Sequence, residues 1–141
     1  MIVLDTSGVL AAIDASQRHH RAAAEVLRAS NEPRLLSPFV LAELDYLISS
    51  RVSGAAARAL LEQVASGAYR LEQMDETDVA AALQVMERYR DLDVGLADAS
   101  LVVLADRYDT QDVLTLDERH FRVLRGGRDR PFRILPADAH G

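Results

Sequence analysis

The sequence predicts an α/β domain whose central sheet is mostly parallel and covered by helices on both faces. Three observations lead there. Short apolar runs bounded by turns recur along the 141 residues. Segments with helical spacing and recognisable starts lie between them. Strands that alternate with helices in this way pair in parallel and are buried on both sides. At this length the chain is expected to be one domain, 1–141, burying roughly 70% of the surface its unfolded form would expose.

Ile2–Leu4 opens the chain as a buried strand, and Asp5 ends it. Helical spacing follows over Gly8–Ala15 and again over His19–Ala29, and Arg34–Leu36 is the second strand. Ser37 then reads as an N-cap with Pro38 at the first helical position, where its missing amide is tolerated, so a helix is expected over Pro38–Ser50. Ser53 heads a helix over Gly54–Ser66, and Tyr69–Leu71 is the third strand. Asp75 caps a helix over Glu76–Arg90, and Asp93 reads as the cap before Leu96–Tyr108. Strands at Val113–Leu116 and Phe132–Leu135 flank a last helix, Glu118–Leu124.

Composition removes several functions. There is no cysteine, hence no disulfide, thiolate nucleophile or cysteine-held metal, and a cytoplasmic location is expected. No apolar run approaches the roughly 20 residues of a membrane span, and no basic and apolar signal opens the chain, so no membrane role is expected. All 16 basic residues are arginine. The net charge of -6 argues against indiscriminate nucleic-acid binding. That charge is uneven, however, because Arg119, Arg122, Arg125, Arg128, Arg130 and Arg133 crowd one stretch opposed only by Asp129.

The acids invite closer reading, because ligands of such sheets sit beyond the carboxyl ends of the strands. Asp5 and Asp117 stand at such ends, although each could simply cap the helix after it. Glu43 lies four residues after Phe39 and four before Leu47, which predicts that it points into an apolar helix face. Asp98 repeats the anomaly in GLADASLVVLAD, an otherwise apolar helix, where the helix dipole offers only about 0.3–1 kcal/mol of compensation. An ionised carboxylate on a buried face costs several kcal/mol unless a cation or hydrogen bonds meet it. Four such acids with no lysine to neutralise them suit Mg²⁺ or Mn²⁺, hard ions that take oxygen ligands and activate water against a phosphodiester.

The blocks VLDTS, SPFVLAELDYLI, GLADASLVVLA, TLDERHF and FRILP, in this order and running nearly end to end, resemble the PIN-domain ribonucleases, and among them the VapC toxins of bacterial toxin–antitoxin pairs. The resemblance implies a three-layer α/β/α fold with a mostly parallel sheet. It implies Mg²⁺- or Mn²⁺-dependent endonucleolytic cleavage of RNA by an acidic quartet, Asp5, Glu43, Asp98 and Asp117. Thr6, Ser7 and Thr115 fall where the family places hydroxyls that orient the acids or the water. A homodimer and a VapB-type antitoxin are implied as partners, with the antitoxin expected on the apolar helices between Pro38 and Tyr69. Arg119, Arg122 and Arg125 are the candidate RNA contacts, since a nuclease needs some basic surface.

Other histidines and other functions weigh less. His19 and His20 project about 100° apart on a helix and cannot face one site together, so surface or packing roles are expected. His120, beside Asp117 in TLDERHF, is read as structural, with RNA contact as the alternative. An aspartyl-phosphate enzyme would place an aspartate after its first strand, but it relies on a lysine, and this chain has none. An aspartic protease would want D-T-G or D-S-G where Asp5-Thr6-Ser7-Gly8 stands. The alternative from another class is a catalytically silent PIN-like module that binds RNA or protein.

Overall fold

A computed structural model describes residues 1–139. Five strands alternate with seven helices: β1 (Ile2–Leu4), α1 (Thr6–Ile13), α2 (His20–Ala29), β2 (Arg34–Leu36), α3 (Pro38–Arg51), α4 (Gly54–Ala65), β3 (Arg70–Leu71), α5 (Glu76–Arg88), α6 (Leu96–Tyr108), β4 (Asp112–Leu114), α7 (Glu118–Phe121) and β5 (Arg133–Leu135). The sheet order is β3-β2-β1-β4-β5, and every neighbouring pair is parallel. The register sets Val3 beside Leu35 on one side and beside Val113 on the other.

Successive side chains of a strand point to opposite faces. Ile2, Val3 and Leu4 are all buried, so helices cover the sheet on both sides, the three-layer arrangement that the sequence implied. From β1 the chain builds outward through β2 and β3, then returns to place β4 on the other side of β1. That reversal makes the edge between β1 and β4 the switch point where a crevice opens beyond the strand ends.

Local signals account for the helix starts. Ser37 accepts from the Phe39 amide (3.2 Å) ahead of Pro38, Ser53 accepts from Ala56, and Asp75 forms a reciprocal capping box with Asp78. Asp93 is not the cap of α6. Gly95 takes that place, while Asp93 adopts a left-handed φ of 58° after a short 3₁₀ turn at Arg90–Leu92. Gly8 is demanded by packing, because a Cβ there would stand 2.5 Å from the Leu114 carbonyl oxygen of β4. With no side chain at Gly8, α1 can lie directly on the sheet. The Ser37 and Ser100 hydroxyls, both fully buried, lie 2.7 Å apart and tie the start of α3 to α6.

Candidate metal centre

Asp5 follows β1 and occupies the N-cap position of α1, but its side chain makes no capping bond. Its Oδ2 instead accepts from the Thr115 hydroxyl (2.6 Å) and the Ser7 hydroxyl (2.9 Å). The same hydroxyls are pinned in turn, since Ser7 Oγ accepts from the Leu116 amide (3.0 Å) and Thr115 Oγ1 from the Asp117 amide (2.9 Å). Asp5 is 5% exposed. Burial, helped by the nearby Asp98 charge, pushes its carboxyl up to about 6 against the pull of the Thr115 and Ser7 bonds. Two hydroxyl donors therefore do not repay the lost hydration.

Asp98 enters from the first turn of α6 and Asp117 from the end of the β4 segment, where it caps α7 by accepting from the His120 amide (3.0 Å). Burial also raises Asp98, opposed by His120 and reinforced by the charges of Asp117 and Glu43. Asp5, Glu43 and Asp117 thus each lie near enough to Asp98 for their charges to be felt, beyond the carboxyl ends of β1 and β4. Among the described residues no arginine pairs with any of the four.

Glu43 corrects one expectation. It is exposed, while Val40, Leu44 and Ile48 supply the buried stripe of α3. The helix is rotated so that Glu43 flanks the apolar face rather than entering it, and the side chain reaches the site along the rim. There Thr6 Oγ1 donates to its Oε1 (2.6 Å). Thr6, Ser7 and Thr115 thus all lie at the cluster, each bonded to an acid.

His120, expected from the sequence to be structural, stands at the acids. Its Nδ1 lies 3.1 Å from Asp98 Oδ2 and 3.0 Å from Asp117 Oδ2. The available signal was its spacing of three from Asp117, which sets both on one side of α7. His20 has the packing role expected of it, its Nδ1 donating to the Ala11 carbonyl (2.8 Å) between α2 and α1.

The arginine stretch is largely spent on ion pairs. Arg122 is held by Glu118 (2.7 Å) and Asp138 (2.8 Å), Arg128 and Arg130 by Asp109, and Arg133 by Asp112. Arg119 and Arg125 are exposed and outside ion pairs among the described residues. No described helix is long and apolar enough to cross a membrane.

A parallel sheet covered by helices, with carboxylates gathered beyond the strand ends at its switch point, defines an open α/β protein with its ligand site in that crevice. Within that class the PIN domain model matches residues 2–126, and the chain belongs to the PIN-domain family. It is 42% identical over 138 residues to Ribonuclease VapC26 of Mycobacterium tuberculosis, a match covering 96% of this chain and 100% of the relative. Among solved structures, the sarcin-ricin loop cleaving toxin VapC20 of M. tuberculosis superimposes with a TM-score of 0.77 at 22% identity, covering 83% of this chain and 90% of that one. VapBC from Salmonella typhimurium, solved bound to DNA, gives a TM-score of 0.66 at 21% identity over 94% of this chain and 95% of its own. These two likenesses show the fold.

Proposed function

We propose that this chain is a metal-dependent endoribonuclease, the toxin of a VapBC-type pair, and that Asp5, Glu43, Asp98 and Asp117 form its catalytic centre. The observation that carries this reading is a partly buried cluster of carboxylates with no paired arginine among the described residues. Acids so placed repel one another, and the arrangement becomes favourable when a cation joins it. Their oxygens, with one imidazole nitrogen beside them, fit a hard divalent ion, Mg²⁺ or Mn²⁺, which these four acids would hold. When bound, such an ion supplies Lewis acidity, easing deprotonation of water and shielding charge on the phosphodiester.

The chain's own residues organise the rest. Thr115 and Ser7 fix the orientation of the Asp5 carboxylate, and Thr6 holds Glu43 over the rim. Asp117 divides its oxygens, one capping α7 and one turned toward His120, which ties the end of β4 to the site. Arg119 and Arg125 are the side chains best placed to meet an RNA backbone, whereas Arg122 would first have to leave Glu118 and Asp138.

RNA as substrate places its work in the cytoplasm. A VapB-type antitoxin would lie on α3 and α4, where Tyr46, Val52 and Leu61 are exposed, and an arginine from it could pair with the acids. A homodimer is the expected assembly of the toxin. The test is cleavage of total RNA by purified protein in EDTA, Mg²⁺ and Mn²⁺, beside Asp5→Asn and Asp98→Asn. Metal-dependent cleavage by wild type alone is expected; a folded Asp98→Asn protein that cuts at the wild-type rate would refute the assignment.

A further inference from the structure

We infer that His120 Nδ1 is a ligand of the same ion and biases the centre toward Mn²⁺ over Mg²⁺. This rests on the reading that the acidic cluster holds a divalent cation. Neighbouring ligands of an octahedral ion with bonds of about 2.1 Å stand about 3 Å apart, and Nδ1 lies 3.1 Å from Asp98 Oδ2 and 3.0 Å from Asp117 Oδ2, a hydrogen-bond contact whose ring proton the ion would replace. The three donor atoms all fall within 4.8 Å of one another, a span that one ion bridges with small rotations of the carboxylates.

The ring is also held where it is. Its own backbone amide is bound by Asp117 Oδ1 (3.0 Å), so one aspartate positions both itself and the histidine. The next residue, Phe121, is 1% exposed and packs edge-on against Phe132 with centroids 5.4 Å apart, which anchors α7 to the core. The imidazole side chain is only 17% exposed. A surface histidine would swing freely, whereas this one is confined between two carboxylates at the mouth of the site.

The consequence for metal choice follows from ligand softness. Mg²⁺ prefers oxygen donors throughout and gains little from a nitrogen, while imidazole suits the transition metals and so favours Mn²⁺ in the comparison. A purely carboxylate centre would discriminate less.

Mn²⁺ loaded into the full chain provides a direct readout. Pulsed electron paramagnetic resonance should detect nitrogen coupled to the bound Mn²⁺ in wild type and not in His120→Ala. Titration calorimetry should show Mn²⁺ affinity falling about tenfold in the variant, the lower end of the loss seen when a group that only supports a metal ligand is removed, while Mg²⁺ affinity changes less. Wild-type protein that binds Mn²⁺ with no nitrogen coupling would overturn the inference and leave the acidic centre standing. If wild type bound neither ion, both the inference and the reading beneath it would fall. The wild-type spectrum decides even where His120→Ala does not fold.

Discussion

Asp5 is the residue whose position is hardest to explain by folding alone, and its energetics give a pH signature. Its carboxyl is raised from 3.8 to about 6 in the folded chain. The unfolded state therefore ionises first as pH rises. The destabilisation is absent below pH 3.8, grows up to about 6, and is constant above that. At about 1.4 kcal/mol per tenfold, it reaches about 3 kcal/mol at neutral pH, to order of magnitude. Asp5→Asn should thus be more stable than wild type in EDTA at pH 7, with the gap closing toward pH 4. Denaturant melts at several pH values measure this, and a gap independent of pH would contradict it. Glu43→Gln should behave differently: an exposed side chain changes metal-free stability by about 0.5 kcal/mol or less, yet the variant should lose most of its response to metal, which calorimetry with Mn²⁺ reads. The sequence placed both residues on the right elements. It misjudged the facing of Glu43, because α3 is apolar around much of its circumference and periodicity alone leaves its rotation ambiguous. It set His120 beside Asp117 but not beside Asp98, because only the fold brings α6 against α7.

At the level of elements, the sequence was legible wherever chemistry is local. Ser37-Pro38, Ser53 and Asp75 announce their helices by capping, and the strands of the sheet follow from apolar runs that need no partner to be recognised. Strand order was not legible, since it depends on which helix crosses which face. Neither was the contact between α1 and β4, where Gly8 meets Leu114 across more than 100 residues of chain. Gly8→Ala is expected to push α1 off the sheet and cost about 1–3 kcal/mol, the usual penalty of overpacking. The same displacement would draw Ser7 and Asp5 away from Thr115. RNA cleavage should therefore fall further than stability does, and parallel melting and activity measurements on the variant separate the two. Cleavage that survives a loss of this size would mean the site tolerates movement of α1.

For the whole molecule, the proposed cation and the fold would be linked. Wild type should melt at higher temperature in Mn²⁺ or Mg²⁺ than in EDTA, by an amount that rises with metal concentration; one hundred times the dissociation constant gives about 2.7 kcal/mol. Differential scanning fluorimetry across a metal series tests this, and identical melting in EDTA and saturating Mn²⁺ would rule it out. The sheet order carries a further consequence, one of timing. β1 is the first strand made, yet its partner β4 and the hydroxyl of Thr115 that receives Asp5 come 110 residues later. During synthesis the opening strand must wait, one side unpaired, until almost the entire chain has left the ribosome. A nascent chain interrupted before β4 has no centre to assemble. On the proposed reading, in which Asp117 completes the centre, cutting power arrives only after β4 has emerged and paired with β1.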